Sequence, residues 1–359
     1  MPFFTNAPPR VQPFFGYRSS EILSISARAL RGNVADFNAE GMLRSVRTML
    51  SQFISHEVAG LQVSLTITRE DGSELTRTQE TDEEGFVHFE IEVDDWPLPP
   101  TALWHVGKLE WTGGAGEAEC HILAPGADTD LAVISDIDDT IIETGITGSL
   151  KAVRRNWKRV LAQMPHQREH VPGVDGFYQA LGGGAGQASE TRLSATRRPF
   201  FYVSSSPWNL FSYLVAFKKS RGLPLGPVML RDWSLSRETL GSGGHGEHKR
   251  ASIETILGAF PDMRFALIGD DTQGDLTAYA SIAADFPNRI AAIFIRSAGE
   301  TLSGEEVEAK QAIAEAGVPL WLGSDYQTGE AFLREAGLSA DRDAAGIVET
   351  VEQVAEAAG

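Results

Sequence analysis

The stretch LAVISDIDDTII, residues 131–142, brings three aspartates together directly after an apolar run. Asp136, Asp138 and Asp139 fall within four residues of one another. Like charges at this spacing repel, so a cation or a basic side chain is needed to balance them. Open α/β sheets bind ligands at the carboxyl ends of their strands, so carboxylates that follow a buried strand indicate a ligand site.

Other apolar runs are followed by groups of complementary chemistry. The run FFYV leads into three serines, an amphipathic helix begins near a lysine, and the run RFALI leads into the acidic stretch GDDTQGD, which contains Asp270, Asp271 and Asp275. The candidate site residues among them are Ser204, Ser205, Ser206, Lys249, Asp270 and Asp275. We expect their side chains to meet at one edge of a parallel sheet.

Such a set suits phosphoryl transfer to an aspartate. Asp136 would attack phosphorus and form an aspartyl-phosphate. Asp138 would protonate the leaving alkoxide and then activate water for hydrolysis. Ser204 and Lys249 would hold the non-bridging oxygens and offset the charge that develops on them. Asp136, Asp138, Ser204 and Lys249 are therefore the predicted catalytic residues.

A divalent cation fits the same cluster. Mg²⁺ binds a few carboxylates, keeps several waters and takes up phosphate oxygens. Asp270 is a predicted ligand, and Asp275 would either ligate the ion or orient its shell. The predicted metal site comprises Asp136, Asp138, Asp270 and Asp275. Whether Asp139 and Asp271 take part, or only shape the neighbouring turns, stays open.

The elements that would carry these groups divide the chain in two. In residues 1–128, segments such as EILSISARAL, LQVSLTITR and GFVHFEIEV alternate apolar with polar residues between turn signals, which predicts a small β-sandwich-like domain. In residues 129–359, the runs LAVIS, FFYVS, GPVML, RFALIG and IAAIFI alternate with helical patterns. That alternation is typical of a parallel sheet with helices on both faces. The glycine-rich stretches at 182–187 and 241–248 are predicted loops, and the tail after Arg296 is predicted to be helical.

The motifs in chain order resemble those of the haloacid dehalogenase-like (HAD) phosphohydrolases. DIDDT resembles their D-x-D-x-T motif, FFYVSSS the second motif, Lys249 the third and GDDTQGD the fourth. More narrowly, SDIDDTI…TGIT, YVSSSPWNL, RDW and HK…GD resemble the actin-patch-type phosphatidate phosphatase family and its bacterial relatives. The resemblance covers about residues 131–296, and a β-rich leader is also typical of that family.

The resemblance implies a HAD-like three-layer domain with strand order 5-4-1-2-3. It also implies Mg²⁺-dependent dephosphorylation of phosphatidate to diacylglycerol. Thr140, Ser205 and Ser206 are further predicted substrate-binding residues, although Ser205 and Ser206 could instead cap the helix that follows Pro207. The sequence departs from the family pattern at Asp271 and Thr272, where a serine and a glycine are expected. Asp270 and Asp275 keep their places, so the departure concerns local shape rather than chemistry.

A helical insert at about 147–198 is the place where the substrate could be recognised. Its stretch SLKAVRRNWKRVLAQM places basic residues at spacings of three and four, so they share one side of a helix. Lys151, Arg154 and Arg155 are the predicted substrate-binding members. A basic amphipathic helix with a tryptophan can lie on an anionic membrane, although an ordinary helix with a solvated basic face fits the pattern equally.

Composition limits the class of protein. The chain has 359 residues, a net charge of −18 and one cysteine, Cys120. General nucleic-acid binding needs a basic footprint, so we expect no nucleic-acid partner. A single cysteine forms no intramolecular disulfide, and no signal peptide or membrane-spanning run is recognisable. We therefore expect a cytoplasmic protein with possible peripheral membrane contact; the sequence identifies no protein partner.

Two alternatives stay open from the sequence. One is a HAD phosphatase that acts on a soluble or macromolecular phosphoester, because catalytic motifs define the reaction and not the substrate. The other is a binding or adaptor protein with an inert α/β domain, against which the intact carboxylates argue.

Overall fold

The structure is a computed structural model, and it describes the greater part of the chain. The described residues are 8–31, 56–93, 95–112, 116–137, 173–183, 193–231, 244–271, 274–297 and 302–340. They form two sheets, and the helices accompany the second.

The first sheet contains the first nine strands of the described chain. They are β1 (Arg10–Pro13), β2 (Gly16–Arg18), β3 (Ile22–Arg31), β4 (His56–Glu57), β5 (Gln62–Thr68), β6 (Glu74–Glu80), β7 (Phe86–Glu92), β8 (Leu103–Trp111) and β9 (Gly116–Ala124). The main path runs β1-β3-β2-β9-β8-β5-β6, and β4 and β7 also pair with β3. Neighbours are antiparallel except β2 and β9, which are parallel.

Alternating burial gives this sheet its core. In β3, Leu23, Ile25 and Ala27 are buried while the residues between them are partly exposed. Successive strand side chains point to opposite faces, so these residues share one face. They pack in one cluster with Val63 and Leu65 of β5. The prediction of a β-rich leading region is confirmed, and hydrogen bonds join its nine strands into a single sheet.

The second sheet is parallel throughout its described pairings. Its strands are β10 (Leu131–Asp136), β11 (Phe200–Pro207), β12 (Val228–Arg231), β13 (Arg264–Asp270), β14 (Ile290–Arg296) and β15 (Leu320–Gly323). The order is β12-β11-β10-β13-β14-β15. The five predicted strands lie in the predicted order, and β15 adds a sixth at one edge. The tail after Arg296, which the sequence predicts to be helical, contains this strand as well as the helices Gly304–Glu315 and Tyr326–Glu335.

Six α-helices of the described chain cover both faces of the second sheet. They are α1 (Val174–Gly182), α2 (Phe211–Ser220), α3 (Gly244–Ala259), α4 (Asp275–Asp285), α5 (Gly304–Glu315) and α6 (Tyr326–Glu335). Residues of α1, α2 and α6 pack with Val133 and Tyr202 on one face. Residues of α3, α4 and α5 pack with Ile134 and Phe201 on the other. Helix α3 includes residues 244–248, which the sequence had predicted as loop.

Aromatic side chains join the two sheets. Phe14, between β1 and β2, lies in the same core as α2, and its ring centroid is 4.9 Å from that of Phe211. Tyr17 of β2 contacts Phe201 and Phe260 at 5.9 Å and 5.8 Å. Rings at these separations stabilise by about 0.5–1.5 kcal/mol per pair beyond their buried area. The predicted domain boundary at residues 128–129 falls between β9 and β10 and stays a prediction.

Some predicted features lie outside the described residues. They include most of the helical insert at 147–198, of which α1 is the described helix. Among the described helices, none is both long enough and apolar enough to cross a membrane.

Candidate active site

Three neighbouring strands of the second sheet end at one edge. Asp136 is the last residue of β10, Asp270 is the last residue of β13, and Ser204 lies in the last half of β11. Strand β10 pairs with both others, Asp136 opposite Val203 and Ser135 opposite Ile268. The parallel direction brings all three carboxyl ends together, as the sequence predicts. Asp136, Ser204 and Asp270 are each almost completely buried.

Lys249 joins the carboxylates from helix α3. Its side chain is 1% exposed, and its Nζ lies 3.0 Å from Oδ1 of Asp136 and also contacts Oδ1 of Asp275. Burial alone would lower the pKa of Lys249, but Asp136, Asp275 and Asp270 together raise it above its ordinary value. The lysine is therefore an ammonium at physiological pH and balances part of the buried negative charge.

Asp275 reaches the cluster from the first residue of helix α4. Gly274 precedes it with φ 80°, a left-handed conformation that glycine adopts readily. Oδ2 of Asp275 accepts a hydrogen bond from the backbone N–H of Asp270 at 3.2 Å. A Cβ at Gly269 would lie 2.8 Å from Cβ of Asp275, so the close approach requires glycine there.

The cluster has the donors for a divalent cation. Asp136, Asp270 and Asp275 are buried, and one ligand oxygen of each lies within 4.8 Å of the others. With Lys249 protonated, these four side chains carry a formal charge of about −2, which is costly in a buried setting and which one divalent cation offsets. Oxygen donors of this kind suit Mg²⁺. The residues present therefore fit the ion that the sequence predicts.

The serine segment follows at the adjoining strand end. Ser204 is buried, and its Oγ accepts a hydrogen bond from the N–H of Ser206 at 3.0 Å. Ser205 and Ser206 are partly exposed. The pairing of β11 with β12 shifts register between Ser204 and Pro207, so the backbone leaves the regular ladder here. The segment thus presents hydroxyl and backbone groups beside the carboxylates.

Residues that the sequence did not single out support these strand ends. Ser135 Oγ donates to the carbonyl of Asp136 at 2.7 Å and shares a hydrogen bond with Tyr178 Oη at 2.6 Å. Tyr279 Oη donates to the carbonyl of Ile268 at 3.0 Å. Burial first, and nearby aspartates second, raise the pKa of Tyr279 well above its ordinary value, so this phenol remains a donor. No sequence motif marks these tyrosines, because their partners are set by packing across the sheet.

The remaining predicted residues have different outcomes. Asp271 is partly exposed, and its N–H donates to the carbonyl of Arg296 at 3.1 Å. Among the described residues, the carboxylate cluster contains Asp136, Asp270 and Asp275 and does not include Asp271. Several predicted residues lie outside the described part of the chain: Asp138, Asp139, Thr140, Lys151, Arg154 and Arg155.

Comparison with known proteins agrees with the resemblance carried by the motifs. Residues 131–297 match the family model described as "Phosphatidate phosphatase APP1, catalytic domain". The resemblance predicted from the motifs is confirmed for this segment. "Phosphatidate phosphatase APP1" of Saccharomyces cerevisiae is 34% identical over 173 residues, which are 48% of this chain and 27% of that protein. "Uncharacterized protein C29B5.04c" of Schizosaccharomyces pombe is 30% identical over 167 residues, 46% of this chain and 25% of that protein.

These relatives extend well beyond the shared region, since the chain spans about a quarter of the length of each. Among solved structures, a β-glucuronidase of Bifidobacterium dentium aligns over 88% of this chain and 60% of that chain, with 10% identity and a TM-score of 0.27. A score this low assigns no fold.

Proposed function

We propose that the protein is a Mg²⁺-dependent phosphatase that hydrolyses a phosphomonoester through an aspartyl-phosphate, with phosphatidate as its substrate. The observation that carries the proposal is the buried group of Asp136, Asp270 and Asp275 around the ammonium of Lys249. The match of residues 131–297 to a phosphatidate phosphatase catalytic domain supports the choice of substrate. We also propose that the second sheet and its two helical layers form a HAD-like domain.

In this proposal Asp136 is the nucleophile. Its carboxylate oxygen forms a bond to phosphorus while the bond from phosphorus to the leaving oxygen breaks. Lys249, already bound to Asp136, keeps that carboxylate ionised and stabilises charge on the transferred group. Ser204 and the partly exposed Ser205 and Ser206 hold the non-bridging oxygens.

Asp138, two residues after the nucleophile, is the proposed acid and base. It gives a proton to the leaving alkoxide and later takes one from the water that attacks phosphorus, which breaks the bond to Asp136. Asp136, Asp270 and Asp275 would hold Mg²⁺, together with Asp138 as the fourth predicted ligand. When bound, the ion supplies Lewis-acid stabilisation of the phosphoryl oxygens and offsets the carboxylate charge.

The test is release of inorganic phosphate from phosphatidate in vesicles, with MgCl₂ and with EDTA. The same enzyme is offered soluble monoesters, such as glycerol 3-phosphate and p-nitrophenyl phosphate. We expect magnesium-dependent release from phosphatidate that is lost in Asp136→Asn. The matched control is Asp130→Asn, an aspartate with an 80% exposed side chain just before β10, which should keep full activity.

Other outcomes would favour the alternatives. Release from a soluble ester but not from phosphatidate would support phosphatase activity and would refute phosphatidate as the substrate. No release from any monoester by the wild-type protein would overturn the proposal and favour an adaptor role.

Substrate recognition by the predicted basic helix is part of the same proposal. Lys151, Arg154 and Arg155 would attract an anionic lipid surface, so the proposal includes a cytoplasmic protein with peripheral membrane contact. Changing all three to glutamine should weaken binding to phosphatidate-containing vesicles and leave binding to neutral vesicles unchanged. Unchanged binding to the anionic vesicles would refute this role.

A further inference from the structure

Residues of the first sheet pack against the turn that follows the serine segment. A 3₁₀ turn, Trp208–Leu210, links β11 to α2 and begins four residues after Ser204. The ring centroid of Trp208 lies 4.3 Å from that of Phe14 and 5.9 Å from that of Phe86. Both phenylalanines come from the first sheet and its connections, and both are almost fully buried. The partly buried Trp208 of the turn therefore packs against residues far away in the chain.

Arg28 of β3 holds the next residue of the same turn. Its Nη1 donates to Oδ1 of Asn209 at 3.3 Å. The guanidinium is fixed in turn, because Nε donates to the carbonyl of Glu84 at 3.0 Å, Nη2 pairs with Glu57 at 3.1 Å, and the group lies 4.5 Å over the ring of Phe86. The planar fork of arginine suits such a multiple attachment.

The serine segment needs support of this kind. Between Ser204 and Pro207 the pairing with β12 shifts register, so the ladder on that side of β11 is irregular there. The 3₁₀ turn and the start of α2 are the next elements along the chain that tertiary contacts hold in place. Phe14 contacts both, through Trp208 at 4.3 Å and Phe211 at 4.9 Å.

We propose that the first sheet is a working part of the phosphatase site, with Arg28 and Phe14 as positioning residues for the segment Ser204–Ser206. The proposal rests on the proposed function, because the serines matter as phosphate contacts only there. Arg28 and Phe14 act through Asn209 and Trp208 and do not touch substrate. Since a displacement of about 1 Å in a positioned group can reduce a rate about 100-fold, a loosened turn should lower kcat.

The experiment compares Arg28→Met and Phe14→Leu with the wild-type protein. Methionine keeps the arginine stem to about Nε but loses the guanidinium, and with it the bonds to Asn209, to the Glu84 carbonyl and to Glu57. We expect kcat to fall about tenfold and KM to stay within about twofold, because the transition state depends on phosphate position more than substrate binding does. The matched control is Arg77→Met. Arg77 is an exposed residue of β6, and its Nη1 donates to the carbonyl of the neighbouring Thr76. The kcat of this variant should be unchanged.

A second readout does not depend on activity. Amide hydrogen exchange is measured over residues 204–211 and over the cores of β10 and β13. A positioning role predicts at least about tenfold faster exchange in 204–211 of Arg28→Met, with β10 and β13 unchanged. A merely structural role would speed exchange throughout and lower the thermal midpoint in step with activity, which would overturn the proposal.

The two readouts separate this proposal from the proposed function. If the wild-type protein releases no phosphate but exchange changes only in 204–211, the function fails and the mechanical link stands. If the wild-type protein is active and Arg28→Met matches Arg77→Met in both kcat and exchange, the positioning role is overturned.

Discussion

Two buried lysines, Lys249 and Lys218, lie on opposite faces of the second sheet in opposite electrostatic settings. Both side chains are at most 1% exposed. Lys249 faces three carboxylates, which raise its pKa. Lys218 lies in the apolar core on α2, where its Nζ is 3.6 Å from the ring centroid of Tyr202. Within the described structure that Nζ has no hydrogen-bond partner, and burial lowers its pKa well below the ordinary value.

The contrast shows what distinguishes a site from a buried charge. A perturbed pKa indicates a functional site more strongly when specific charged partners act on the group in addition to desolvation. The shift of Lys218 comes from desolvation, so its position argues for packing. The shift of Lys249 comes from a set of aspartates gathered at strand ends. Substitutions at and around the two lysines therefore test whether their settings differ as described.

Removing Lys249 should have the largest effect. Lys249→Met removes the ammonium group that balances part of the negative charge of Asp136, Asp270 and Asp275. We expect activity to fall at least about 100- to 1000-fold and the free energy of unfolding without Mg²⁺ to fall by about 3–5 kcal/mol. Steady-state kinetics and urea unfolding measure both. Lys219→Met, at the exposed neighbour of Lys218, should change neither. An active Lys249→Met enzyme would refute the assigned role.

Magnesium should stabilise the carboxylate cluster. At a concentration about 100 times its Kd, Mg²⁺ should raise the free energy of unfolding by about 2.7 kcal/mol, because it binds the folded state. Urea unfolding with MgCl₂ and with EDTA measures the gain. Asp270→Asn should lose most of it and the exposed Asp130→Asn should retain it. An equal gain in both variants would place the ion elsewhere.

Gly269→Ala should disturb the Lys249 surroundings without changing any charge. The added Cβ would lie 2.8 Å from Cβ of Asp275, so the start of α4 must shift. We expect a loss of about 1–3 kcal/mol in stability, typical of overpacking, together with lower activity. Gly258→Ala in α3, where a Cβ meets no neighbour within 4 Å, is the control and should be neutral or stabilising. Equal stability of the two variants would contradict the close approach.

Replacing Lys218 should give the smallest effect and the opposite sign. Its folded pKa lies below the unfolded value of about 10.5, so the unfolded state binds more protons between the two values. Wild-type stability should therefore rise with pH across that window. Lys218→Met should stabilise by about 1–2 kcal/mol at low pH, and the gain should disappear as pH approaches 10.5. Urea unfolding at several pH values checks this, with Lys219→Met as control. A destabilised variant would show that the contact with Tyr202 outweighs desolvation.

Much of the site's placement followed from the sequence. Asp136, Ser204 and Asp270 end apolar runs, and a parallel sheet brings such ends together. Local patterns also indicated five of the six strands of the second sheet. The strand Leu320–Gly323 was missed, because four apolar residues between helical patterns do not distinguish a strand from a helix.

Features that depend on contacts between residues far apart in the chain could not be predicted from the sequence. Arg28 and Asn209 are 181 residues apart, and no local sequence pattern around either residue predicts the hydrogen bond between them. Lys218, in FKKS, looks like any exposed lysine at a helix end, yet the tertiary packing buries it. The roles of Asp138 and Thr140 stay predictions, because these residues are outside the described structure.

The aromatic contacts between the sheets limit how this protein can be divided. The segment that matches the catalytic family begins at Leu131, but Phe14, Tyr17 and Phe86 cover Trp208, Phe211 and Phe201. A fragment cut at Leu131 would expose that patch to water and should aggregate or recruit a substitute cover. Transfer of the catalytic segment between proteins, by evolution or by engineering, therefore requires a leading segment whose aromatic side chains cover Phe201, Trp208 and Phe211.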